Sequence, residues 1–157
     1  MMQSGGMMTR FNRLFIIFVY FFLFPSLTVW AKDLVNTGFF SNDALSGYDP
    51  VAYFTEGKPV KGTKKFKFGY RDANWYFSTR TNLEKFKSNP SQYAPQYGGY
   101  CAWAIAQGNT ADGNSENWTI YKDKLYLNYN NTIQNKWLDN IEQFISDADQ
   151  KWPAVLD

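Results

Sequence analysis

The chain has 157 residues, an aromatic content of 20%, a charged content of 19%, one Cys and no His. Once a leader is set aside, about 125 residues remain, enough for one core and too few for two ordinary domains. The composition is globular, and the formal charge of +2 rests on Arg10 and Arg13 of the leader, so the remainder is neutral and nucleic acid is excluded as a partner.

Residues 1–31 read as a signal peptide. Arg10 and Arg13 form a charged start, 14–24 an apolar run, and Pro25-Ser26 leads to a Val29-Trp30-Ala31 cleavage pattern. Cleavage there starts the mature chain at Lys32, periplasmic or secreted. The apolar run is shorter than the ~20 residues of a spanning helix, so no stable membrane anchor is expected after cleavage. With a single Cys, no disulfide forms within one chain.

Residues 32–46 read as an entry arm, and a single domain is expected over 47–153, with no long linker, repeat or low-complexity segment. Gly47-Tyr48-Asp49-Pro50 is a turn, since Pro fixes φ and Asp bonds nearby backbone. Residues 51–54 are a short strand candidate. Lys65-Phe66-Lys67-Phe68-Gly69-Tyr70 alternates polar with apolar and pairs through a tight turn with Trp75-Tyr76-Phe77-Ser78. Thr81-Asn82-Leu83-Glu84 matches a capping box that opens a helix through Ser88, and Asn89-Pro90 ends it. Gly98-Gly99 precedes a short helix over 101–107 that places Cys101 in its first turn.

Residues 118–121 and 125–129 read as a second hairpin. Thr132 caps a last helix whose apolar positions Ile133, Trp137, Ile141, Phe144, Ile145, Ala148 and Trp152 recur at three- and four-residue steps until Pro153. The fold class is therefore α+β, with small antiparallel hairpins packed against short helices and a C-terminal amphipathic helix. The basic stretch from Lys58 to Lys87 and the acidic tail from Asp139 to Asp157 are solvated faces that partly neutralise each other.

The motifs Phe68-Gly69-Tyr70, Trp75-Tyr76-Phe77-Ser78, Lys85-Phe86 and Asn89-Pro90-Ser91-Gln92-Tyr93 resemble the YHS domain, a hairpin-plus-helix module associated with metal handling. With Gly47-Tyr48-Asp49-Pro50-Val51-Ala52-Tyr53-Phe54, Gln96-Tyr97-Gly98-Gly99-Tyr100-Cys101-Ala102, Trp118-Thr119 and Leu125-Tyr126-Leu127-Asn128-Tyr129-Asn130, the chain is similar to exported bacterial YHS-domain proteins. Some of these are selenoproteins, and the resemblance makes Cys101 the position matching selenocysteine.

The chain departs from the metal-binding form of that module. Its second strand and helix start read Tyr76-Phe77-Ser78-Thr79-Arg80-Thr81, without thiols, and all four Met lie in the leader. No Cys/His metal cage is available in the monomer, and no cofactor is identified.

Cys101 has two readings: a thiolate with lowered pKa at a helix start, or a small buried apolar residue between Tyr100 and Trp103. The aromatic residues Tyr48, Tyr53, Tyr97, Tyr100, Trp103 and Trp118 either line a ligand pocket or form core. Asp49 is a candidate to orient a thiol or accept a proton, against an ordinary turn residue, and Asn128 and Asn130 are candidate amide contacts.

Three functions follow: a thiol redox protein using Cys101, a binding module for a metal ion or other small ligand, and an interaction domain with an inert core Cys. The partner is accordingly a small ligand or a periplasmic protein. Binding is favoured over catalysis, because one Cys without His lacks the base and resolving thiol of most thiol enzymes. Triad and phosphate-loop chemistry have no motif here.

Overall fold

Residues 32–157, apart from 39, are described by the computed structural model, and they run through one series of elements twice. The expected signal peptide and its cleavage pattern lie outside the described residues. The first pass is a 3-10 turn (Leu45–Gly47), α1 (Ala52–Thr55), β1 (Thr63–Tyr70), β2 (Ala73–Phe77), α2 (Arg80–Ser88) and α3 (Pro90–Tyr93). The second is a 3-10 turn (Gln96–Gly99), α4 (Ala102–Ala106), β3 (Asn114–Tyr121), β4 (Lys124–Asn128), α5 (Asn131–Leu138) and α6 (Ile141–Lys151). Each hairpin is a separate two-stranded antiparallel sheet, so the class is α+β. Among the described residues no helix is long and apolar enough to cross a membrane.

The two passes agree in detail, which corrects the expectation of no repeat. In the first hairpin Thr63 pairs with Phe77 and Lys67 with Tyr76, with a register shift between them. In the second, Asn114 pairs with Asn128 and Trp118 with Leu127, with the same shift. Both turns hold two residues at positive φ, Arg71-Asp72 and Lys122-Asp123, the backbone that matches strand twist in a two-residue hairpin. Tyr48 bridges Lys61 as Tyr100 bridges Asp112. Ring pairs recur as well: Trp75 lies 5.1 Å from Phe86, and Tyr126 lies 5.2 Å from Trp137.

Local chemistry explains where the elements depart from expectation. Residues 51–54 belong to a helical turn, not a strand: Thr55 N–H donates to Val51 O and Glu56 N–H to Ala52 O. So short an apolar run carries no periodicity to separate the two. Helix α2 is capped by Thr79, whose hydroxyl accepts from Asn82 N–H at 3.1 Å, and not by Thr81. Helix α5 is capped by Asn130, which accepts from Ile133 N–H at 2.9 Å, and not by Thr132. The expected single last helix is two, parted at Asn140, which is not helical. Cys101 is the residue before α4 rather than within its first turn.

Two aromatic-rich clusters form the core. One gathers Val51, Tyr53, Trp75, Phe77 and Phe86; the other gathers Tyr97, Tyr100, Ile105, Tyr126 and Trp137. Strand β4 serves both, because its residues point alternately to opposite faces: Leu125 and Leu127 enter the first cluster and Tyr126 the second. The arm packs on this body. Val35 is buried, Asn36 N–H donates to Gly98 O at 2.9 Å, and Tyr100 Oη donates to Asp33 O at 2.9 Å.

Candidate functional site

Asp49 follows the first 3-10 turn and is fully buried. Its Oδ1 accepts from Val51 N–H at 2.9 Å. Its Oδ2 accepts from Ser78 N–H at 2.8 Å, Ser78 Oγ at 2.7 Å and Asn82 Nδ2 at 2.8 Å. One carboxylate thereby ties the turn to the end of β2 and the start of α2. Four donors satisfy it, which is what a buried acid needs in a site without a basic partner.

Cys101 stands in the corresponding place of the second pass. Asp49 N–H donates to Val60 O and Cys101 N–H to Ala111 O, each at 2.8 Å. The thiol is fully buried, and burial pushes its pKa up, against the opposing pull of the Ala104, Tyr129 and Trp103 backbone amides. Sγ donates to Asn128 Oδ1 at 3.6 Å, and the same oxygen accepts from Trp103 N–H at 3.2 Å. Asn128 is itself fully buried, and its Nδ2 has no partner.

The six candidate aromatic residues separate into two groups. In the first, Tyr53 Oη donates to Ser115 O at 2.9 Å, and its ring meets Trp118 edge-on at 5.3 Å. Tyr48 Oη donates to Glu116 Oε1 at 2.7 Å, and that hydrogen bond raises the phenol pKa. In the second group, Tyr97 Oη donates to Asp149 Oδ1 at 2.8 Å, and its ring lies 5.9 Å from Trp152. Tyr100 packs on Trp152 at 6.1 Å, while Trp103 carries the Lys136 ammonium 6.0 Å from its ring. Tyr53, Tyr97 and Tyr100 are buried within core clusters rather than around a common opening.

Tyr48 does reach an opening. A cleft of about 540 Å³ lies where the first 3-10 turn faces β3 and the end of β4, and Ser46, Tyr48, Asp112, Glu116, Tyr129 and Asn130 are among its walls. Asp112, Glu116 and Tyr129 are exposed. The Lys61 ammonium stands 3.8 Å from the centre of the Tyr48 ring and donates to Ser46 O at 2.8 Å. A smaller hollow of about 80 Å³ shares Ser46, Asp112 and Gly113 and is also lined by Gly99 and Leu127. Four residues of the cleft are not among the candidates read from the sequence: Ser46 in the 3-10 turn, Asp112 in an isolated bridge, Glu116 near the start of β3 and Tyr129 just past β4. The signal in the sequence is the polar run from 109 to 117, which reads as one long loop but spans the Asp112 bridge and the start of β3 and presents side chains instead of only reversing the chain.

Among the described residues no three of His, Cys, Asp and Glu come together as metal ligands. Residues 51–97 match the family model of the YHS domain, and the chain contains that domain. The matched stretch ends before Cys101 and covers none of the second hairpin. No curated protein and no solved structure matches the chain.

Proposed function

We propose that this YHS domain-containing protein is an exported binding module that takes a small organic cation in the cleft at Tyr48. In this reading residues 1–31 are removed in transit, and the mature chain works in the periplasm or outside the cell. The observation that carries it is the pairing of two tyrosines, Tyr48 and Tyr129, with two carboxylates, Asp112 and Glu116, around one cleft. Tyrosine faces and nearby carboxylates favour an ammonium group, with cation–π attraction of about 0.5–2 kcal/mol. Lys61 supports the assignment, since its own ammonium already rests on the Tyr48 ring. A ligand amine would compete for that place.

A metal ion is the weaker form of the reading, because no cluster of three metal-ligating side chains occurs among the described residues. The burial of Cys101 likewise supports a thiol that serves the interior over one that meets ligand in the cleft. The test is an NMR titration of protein beginning at Lys32 with tetramethylammonium, spermidine and lysine amide. Shifts centred on Tyr48, Asp112, Glu116 and Tyr129, weakened about tenfold by Glu116→Gln, are expected, a loss within reach of one cation–π and ion-pair corner. Shifts elsewhere, or none with any probe, would remove the reading.

A further inference from the structure

The recurrence of one motif allows each residue of the second pass to be compared with a counterpart in the same chain. Trp103 occupies the place of Val51, and Tyr129 the place of Ser78. The amides of Val51 and Ser78 donate to the Asp49 carboxylate, and the equivalent amides of Trp103 and Tyr129, with that of Ala104, lie close enough to the Cys101 sulfur to favour negative charge there, the Trp103 N–H being taken by Asn128 Oδ1 while the thiol is reduced. The side chain at position 101 therefore enters backbone that, in the first pass, holds an acid. A second observation is independent of the backbone: the Asn128 carboxamide touches Sγ through Oδ1, yet its Nδ2 is buried with no acceptor. A buried donor left without a partner is costly. A thiol offers it almost nothing, whereas oxygen atoms borne on the sulfur would accept from Nδ2 once the carboxamide turns end for end, and from the Trp103 N–H that Oδ1 now holds.

We propose that position 101 is a buried anion seat, the second copy of the one that holds Asp49, and that Cys101 is a site of oxidation to the sulfinic acid. A sulfinate has one negative charge and two oxygens, as a carboxylate does. Hydrogen peroxide is the oxidant. The thiol gives up its proton as its sulfur attacks one peroxide oxygen, the S–O bond forms as the O–O bond breaks, and the departing hydroxide takes up that proton, leaving sulfenic acid and water. A second peroxide converts the sulfenic acid to sulfinic acid with release of a second water, sulfur losing two electrons at each step and the acid proton passing to solvent. Gly99, two residues before Cys101, and Leu127, its partner across the Cys101–Leu127 bridge, line the small hollow.

The seat and the modification are tested separately on protein beginning at Lys32. For the seat, urea unfolding at neutral pH is compared for Cys101→Asp, Cys101→Asn and Cys101→Ala. An anion seat makes the Asp variant at least as stable as its neutral isostere Asn, and within about tenfold of Ala in unfolding equilibrium, the spread of one charged hydrogen bond. An Asp variant that is less stable than Asn, or unfolded where Ala folds, overturns the proposal. For the modification, the folded protein is treated with hydrogen peroxide and the Cys101 peptide is weighed. Gain of two oxygens on that residue is expected. A thiol left unchanged in the folded protein, yet oxidised once urea has unfolded it, overturns the assignment of Cys101 as an oxidation site.

Discussion

Asp49 and Cys101 hang from the same backbone hydrogen bond, Asp49 N–H to Val60 O and Cys101 N–H to Ala111 O, each at 2.8 Å. One position has four donors to its side chain, and the other has a thiol beside an amide with an unused N–H. The first is consequently structural in a way that turn chemistry alone does not require.

Replacing Asp49 tests this. Asp49→Ala strands the amides of Val51 and Ser78 and leaves Asn82 Nδ2 with only its 3.4 Å bond to Ser78 Oγ, and the expected cost is about 3 kcal/mol or more. Asp49→Asn keeps the volume but puts a donor where donors already point, and is expected to cost a similar amount. Urea unfolding with tryptophan fluorescence measures both. A loss under about 1 kcal/mol would mean that solvent or a shifted side chain satisfies those donors instead.

Gly62 and Gly113 occupy equivalent places at the starts of β1 and β3. A Cβ on Gly62 would lie 2.6 Å from Tyr76 Cβ, and one on Gly113 2.7 Å from Leu127 Cβ, both against the partner strand. A Cβ on Gly69, by contrast, would meet nothing within 4 Å, and Gly69 is not at positive φ. Alanine at 62 or 113 is expected to lower stability by about 2 kcal/mol or more, and at 69 to be neutral or slightly stabilising. Melting curves of the three variants decide it.

The helix starts give a sharp contrast between neighbours. Thr79→Ala and Asn130→Ala each remove a side-chain acceptor from an N-terminal amide and should cost about 1 kcal/mol. Thr81→Ala and Thr132→Ala, two residues further in and exposed, should change stability by no more than about 0.5 kcal/mol. Equal effects within each pair, by denaturant unfolding, would place the caps wrongly.

Alkaline pH should unfold the protein through its buried phenols. Burial raises the pKa of Tyr53 and of Tyr97, the latter helped by Asp149, and pushes Tyr126 up to about 12. Above about pH 10 the unfolded chain releases phenol protons that the folded chain retains. Stability is thus level below that pH and falls as pH rises toward the folded values. Tyrosinate absorbance should show a fraction of phenols ionising late, together with loss of near-ultraviolet circular dichroism; ionisation of every phenol at an ordinary pH would contradict the burial of Tyr53, Tyr97 and Tyr126.

Both hairpins and the fold class could be read from alternation and turn residues, since Phe66, Phe68 and Tyr70 or Leu125 and Leu127 leave a period-two trace. The repeat left almost none. What the two passes share is conformation at turns and caps: Arg71-Asp72 against Lys122-Asp123, Thr79 against Asn130, Trp75 against Tyr126, Phe86 against Trp137. Each pair conserves a backbone angle, an acceptor or a ring, and seldom a letter. The cap at Thr79 was hidden for another reason: Thr81 with Glu84 imitates a capping box, and only the extended backbone of residue 79 shows where the helix begins. The cleft escaped because its walls come from residues 46–48, 112–116 and 129–130, which meet only once both passes are folded.

The two-sided service of β4 bears on how the molecule comes apart. Removing the second pass would strip Leu125 and Leu127 from the interior of the first, and losing the first would leave those leucines facing water beside an intact Tyr126. Neither half can melt while its neighbour stays whole. The stretch over 51–97 that the family model recognises is therefore not expected to fold alone: cut at its own borders it lacks Leu125 and Leu127, which complete its core.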